Sequence, residues 1–173
     1  KANLALVGKN FDKVTVVLNV GGVIDTKFMD EIEGLDALIN MSQAGQEAGT
    51  AAFDVLTGTV TPSGKLTSTW AQNYSDYPAS ETFGGNDSEE NLELYDEGIY
   101  AGYRYFDTFN ITPAYEFGYG MSYTDFNIEV DGVEANEDKV TVEATVTNVG
   151  DTYSGKEVVE VYYSAPDSDD AEK

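Results

Sequence analysis

The stretch KVTVVLNVGG, residues 13–22, is a run of β-branched and aliphatic residues closed by two glycines. A run that is apolar on both faces suits a strand of a parallel sheet covered by helices, because a strand with one wet face would alternate. Downstream, DTKFMDEIEGLD (25–36) spaces its polar and apolar residues as a helix does, and ALINMS (37–42) reads as a short second strand. Upstream, KANLALVGKN (1–10) is helix-like. Strand, helix and strand in succession predict an α/β domain.

GQEAGTAAFDVLTG (45–58) reads as a helix whose apolar face is Ala48, Ala51, Ala52, Val55 and Leu56, ended by Gly58. The small residues at its start let it pack closely on a neighbour, and its glycine-rich entry is also compatible with an anion held on free N–H groups. TVTPSGKLTSTWAQ (59–72) is a turn running into an extended segment. Its Gly64-Lys65 pair is not a phosphate loop, because Leu66 stands where Ser or Thr must meet magnesium and the preceding glycine, Gly58, is misplaced. The polar, glycine- and acid-rich YSDYPASETFGGNDSEENLEL (74–94) reads as a long loop, which in a compact domain is functional or flexible. Asn40, Asn73, Asn86 and Asn110 each open an N-x-Ser/Thr triplet, the last followed by Pro113. Triplets of this kind also arise by chance.

The final third, FNIEVDGVEANEDKVTVEATVTNVGDTYSGKEVVEVYYSAP (126–166), alternates apolar and polar residues. Turns are predicted at DGVEANED and NVGDTYSG, and hence three antiparallel strands with one buried and one wet face. A sandwich of the immunoglobulin type needs about seven strands, so this second domain is expected to be incomplete or completed by another chain. The acidic DSDDAEK (167–173) follows.

The 173 residues are enough for one domain and part of another, and 41% hydrophobic content supports a real core without disulfides. With 32 acidic residues against 9 basic ones the net charge is -23, which repels a phosphate backbone and excludes nucleic acid as a partner. The absence of His and Cys removes Ser-His and Cys-His nucleophile systems, histidine and thiolate metal sites, and disulfides. No metal and no cofactor is therefore expected. No apolar run approaches the ~20 residues of a membrane-spanning helix, and the opening residues do not resemble a secretory leader. The start looks cut from something longer. A soluble protein is expected, cytoplasmic or secreted.

Against this background YDEGIYAGYRYFDT (95–108) sets two adjacent carboxylates before a run of aromatics, as a sugar-cleaving site does. Retaining glycosidases hold two carboxyl groups only ~5 Å apart around one bond. The stretch reads as extended, and neighbouring side chains of an extended segment point to opposite faces. Asp96 and Glu97 are then not a catalytic pair. The predicted role is a domain interface built from Asp96, Glu97, Tyr100, Tyr103, Arg104 and Tyr105, with Arg104 paired to Glu97 or Asp96. A contact at the rim of a sugar site is the alternative.

The chain resembles glycoside hydrolase family 3, which includes β-glucosidases, β-xylosidases and β-N-acetylglucosaminidases. The resemblance rests on VVLNVGGVIDT, GQEAGTAAFDVLTGTVTPSGKLTSTW, YSDYP, DEGIYAGYRYFD, YEFGYGMSYTDF and VTVEATVTNVGDTYSGKEVVEVYYSAP, which occur in the family's order. It implies a (β/α)8 barrel, a three-layer α/β sandwich and a fibronectin type III-like domain in the whole protein. Residues 1–124 then correspond to the C-terminal part of the α/β sandwich, and residues 125–173 to the first strands of the fibronectin-like domain. The barrel is not here. The resemblance further implies retaining hydrolysis of terminal β-linked sugars, with a nucleophilic Asp on the barrel and an acid/base Glu ahead of the VVLN strand. Neither falls within this chain, so no catalytic residue is assigned and the chain alone is expected to be inactive. Its expected partners are the missing barrel and, through the parent enzyme, a β-linked oligosaccharide or glucoside. The chain departs from the family at Met41, Ala44 and Ala48 around GQEAG, at Thr67 and at Met121. A noncatalytic carbohydrate-binding or interaction module, with Trp70 and the tyrosines as stacking platforms, is the other functional class.

Overall fold

The computed structural model describes residues 1–85, 92–95 and 97–164. Helix α1 (Ala2–Asn10) precedes strand β1 (Thr15–Leu18), helix α2 (Phe28–Glu31), strand β2 (Ala37–Asn40), helix α3 (Ala48–Leu56), helix α4 (Tyr103–Thr108) and strands β3 (Phe126–Ala135) and β4 (Val140–Asn148). By internal contacts the described chain forms two units. One comprises Lys1–Ala48 with Thr67–Phe117, the other Gly49–Leu66 with the residues from Gly118 onward.

In the first unit β1 and β2 pair in parallel, Thr15 opposite Ala37 through Leu18 opposite Asn40, as the apolar run predicts. The pairing is started by Asp36, whose carboxylate accepts the Val14 N–H at 2.8 Å and the Lys13 ammonium at 2.9 Å. Val14 and Leu18 are buried with Ile32. The connection carries only one turn of regular helix, α2, since the chain after Glu31 turns through Gly34 at φ +84. There the backbone passes against α1 so closely that a Cβ on Gly34 would overlap the Gly8 carbonyl.

In the second unit α3 forms as its small-residue spacing predicts, introduced by a 3-10 turn over Gly45–Glu47. Gly58 follows it at φ +73, a left-handed position that suits glycine. The helix buries none of its side chains fully, and its Val55 carbonyl accepts the Tyr123 hydroxyl at 2.9 Å.

Strands β3 and β4 pair antiparallel, with Val130 opposite Ala144 but Gly132 opposite Glu143. Asp131 is thus an extra residue, a β-bulge, and β3 runs on through the segment expected to be a turn. The bulge shifts the side-chain alternation by one. It keeps Val133 and Ala135 on the face that carries Phe126, Ile128 and Val130, opposite Val142, Val140, Asn148, Val146 and Ala144. The turn lies instead at 136–139, where the Asn136 side chain accepts the Asp138 and Lys139 N–H groups. The apolar face of this hairpin is open, with Val130, Val133 and Val140 each at least 60% exposed.

A third strand does not pair among the described residues. After Tyr153 the chain is drawn instead to the turn at 61–65: Ser63 Oγ accepts the Lys156 N–H at 3.0 Å, and Lys65 Nζ lies 3.0 Å from Glu157. Lys65 also donates to the Gly120 carbonyl at 2.7 Å, so the lysine of the rejected phosphate loop is a structural clasp. Both side chains of the ion pair are mostly buried, 17% and 15% exposed.

The Val158 N–H and the Lys65 ammonium hold the Glu157 carboxyl below the usual carboxylate range, the backbone contact contributing most and burial opposing. A depressed folded-state pKa means that the unfolded chain takes up a proton first. This contribution is therefore complete above the ordinary glutamate value of about 4.3 and is lost as pH falls through the folded value. A Glu157→Gln variant is expected to unfold at lower urea than the unaltered chain at pH 7, with the difference shrinking below about pH 4. A difference independent of pH would exclude this role.

Candidate functional site

Residues 97–108, expected to be extended, form a turn followed by a helix. The Tyr100 N–H bonds the Glu97 carbonyl at 2.9 Å, Gly102 stands at φ +59, and Tyr103–Thr108 coils into α4. The reason is burial. Helical winding drives Phe106 inward to 2% exposure and leaves Arg104 exposed, whereas an alternating strand would set both side chains on one face. The extended reading of residues 97–108 is thereby corrected, while Asp96, and with it the geometry of the Asp96–Glu97 pair, lies outside the described residues.

Phe106 packs edge-on against Tyr77, with centroids 5.9 Å apart, and against Tyr105 at 5.8 Å. Such edge-to-face pairs add to the area they bury. Tyr105 and Tyr100 both meet Phe109, at 4.9 Å and 5.3 Å, while Tyr103 meets Phe117 at 5.6 Å. Tyr77 belongs to YSDYP, and its hydroxyl accepts the Ala71 N–H at 2.9 Å and donates to the Thr69 carbonyl at 3.2 Å. Between those residues Trp70 exchanges backbone hydrogen bonds with Tyr115 and packs edge-on against its ring. Trp70 is 5% exposed and offers no face to a sugar. Motifs far apart in sequence, STW, YSDYP, GYRYFD and AYEF, thus share one aromatic assembly.

Of the interface candidates, Tyr100, Tyr103 and Tyr105 join this assembly. The Glu97 and Arg104 side chains form no ion pair or hydrogen bond with one another, and the alternative partner of Arg104, Asp96, lies outside the described residues. The sequence reading did not single out Tyr77, although its place in a quoted motif was a signal.

A polar recess of about 380 Å³ in the same unit is lined by Thr26, Lys27, Asp30, Gln72, Pro113, Ala114 and Tyr115. Lys27 is held there by the Asn73 side-chain carbonyl at 2.6 Å, and Asn73 in turn is bound by the Asp76 carboxylate. The side chain of that N-x-Ser triplet is thereby engaged on both ends. Asn40 accepts the Ser42 N–H, Asn110 takes φ +52, and Asn86 lies outside the described residues. Among the described residues no three carboxylates converge to hold a metal ion, and no helix is long and apolar enough to cross a membrane.

A family model described as the glycosyl hydrolase family 3 C-terminal domain matches residues 2–103. The chain belongs to glycosyl hydrolase family 3. A β-glucosidase of Ruminococcus albus is 44% identical over 167 residues, covering 96% of this chain and 17% of the relative. β-Glucosidase A of Butyrivibrio fibrisolvens is 40% identical over 184 residues, covering 96% and 22%. Among solved structures, β-glucosidase 3B of Thermotoga neapolitana in complex with α-D-glucose superposes with a TM-score of 0.76 at 38% identity, over 86% of this chain and 21% of that one. A β-glucosidase of Paenibacillus barengoltzii gives 0.77 at 39%, over 89% and 17%. This family 3 chain therefore spans about a fifth of the length of the relatives it matches. Its parallel sheet followed by antiparallel strands agrees with the family's α/β domain and fibronectin type III-like part.

Proposed function

We propose that this chain is part of a retaining β-glucosidase that removes terminal β-linked sugars. Its own residues supply scaffold and domain interface, and both catalytic carboxylates lie elsewhere in the parent. The observation that carries the reading is the agreement of relatives: β-glucosidases from a range of organisms, 36–44% identical, align over most of this chain. Residues 1–124 are the C-terminal part of the α/β sandwich and residues 125–173 the first strands of the fibronectin-like domain. A (β/α)8 barrel is the partner of both, and the substrate is a β-linked oligosaccharide or glucoside. Asp96, Glu97, Tyr100, Tyr103, Arg104 and Tyr105 belong to the interface.

Burial of Trp70 removes that ring as a stacking platform for a separate carbohydrate-binding module. The purified 173-residue chain is expected to release no nitrophenol from p-nitrophenyl β-D-glucoside. Turnover that survives purification and vanishes in Glu97→Gln would reverse the assignment of roles and make Glu97 catalytic.

A further inference from the structure

Arg104 is the only arginine of the chain and the only cationic side chain between Lys65 and Lys139. It stands on α4 two residues before Phe106, about 200° around the helix from the buried ring, and is exposed. No ion pair or hydrogen bond engages it among the described residues, although Asp107 is one turn away and Glu97 lies just before the helix. Within ten residues of it in sequence stand Ile99, Tyr103 and Phe109, all at least 36% exposed, and Tyr95 at 83%. Arginine among exposed aromatics is the composition of an interface centre, where a planar guanidinium meets a carboxylate bidentately and the rings exclude water. Elsewhere this surface repels anions, with a net charge of -23. A carboxylate of a docking partner therefore has one attractive position along these 73 residues.

We propose that Arg104 docks onto an Asp or Glu carboxylate in the part of the protein outside residues 1–173, and that this contact sets the seat of the aromatic assembly against it. The proposal rests on the reading of the chain as one part of a larger glycosidase. In that whole protein the guanidinium is the anchor and Tyr103 and Tyr95 form the dry rim around it.

The test uses the full-length protein carrying Arg104→Lys, treated with a carbodiimide, which joins an ammonium to a carboxylate only where the two touch. Mass spectrometry is expected to find position 104 crosslinked to an Asp or Glu outside the 173 residues. In full-length Arg104→Glu, amide exchange over 103–108 is expected to rise at least tenfold. The outside crosslink supports docking, as does raised exchange when no crosslink forms within the 173 residues. A crosslink confined to carboxylates within the 173 residues overturns the proposal, as does no crosslink together with unchanged exchange. Hydrolysis of an aryl β-glucoside by the unaltered full-length protein is scored separately: its absence with the crosslink present removes the enzyme reading and leaves the docking contact.

Discussion

A Phe106→Ala variant is expected to lose about 3–5 kcal/mol of stability, the range for truncating a buried phenylalanine. Phe106 is the least exposed large side chain described, at 2%. Its removal empties the space between α4 and Tyr77, and Tyr77 loses the ring that holds it over Thr69 and Ala71. Two costs follow: the transfer of the aromatic from water is forfeited, and the cavity persists because the surrounding rings are already locked edge-on. Urea unfolding followed by tyrosine and tryptophan fluorescence measures it as a lower midpoint at unchanged slope. Phe109→Ala is the comparison. That ring touches Tyr100 and Tyr105 but is 53% exposed, so its loss should cost less than half as much. Equal effects would mean that the assembly is not organised around Phe106.

The second large effect is expected at Gly34, where Gly34→Val should cost about 3 kcal/mol or more. Two mechanisms act together. The left-handed φ of +84 is strained for a β-branched residue, and the new Cβ meets the Gly8 carbonyl, a backbone atom that cannot swing away. The penalty falls on the seating of α1. Circular dichroism and urea unfolding of the variant read it directly. Gly49→Ala provides the opposite sign: no atom lies within 4 Å of a Cβ at that position in α3, and alanine in a helix interior stabilises by about 0.5–1 kcal/mol. A neutral Gly34→Val would show that α1 is not packed as described.

The contrast between Gly34 and Gly49 also illustrates what sequence reveals. β1 and α3 were legible because local preference, apolar pattern and terminators agree in VTVVLNVGG and GQEAGTAAFDVLTG. The hairpin was legible as a pattern, but its bulge was not. An inserted Asp131 interrupts the alternation just where a turn would, and only the partner strand reveals that Val133 returns to the apolar face. Helix α4 was misread because tyrosine and phenylalanine favour strands, whereas burial of Phe106 decides the conformation from outside the segment. Tyr77 was hidden for a related reason: its role depends on two backbone groups, at Thr69 and Ala71, that no pattern in YSDYP announces. Side-chain chemistry, not position, marks the interface candidates in the sequence. Three of them join the aromatic assembly, and Arg104 stands outside it for the same reason that it is a candidate, its exposure on the far side of α4.

The proposed role of these residues is the noncatalytic portion of a retaining β-glucosidase. Its most direct test is the stereochemical course of hydrolysis, followed by proton NMR of p-nitrophenyl β-D-glucoside with the full-length protein beside the 173-residue chain. The expected result is β-glucose as the first product from the full-length protein, before mutarotation, and no product from the chain alone. α-Glucose as the first product, no turnover by the full-length protein, or turnover by the isolated chain would contradict it.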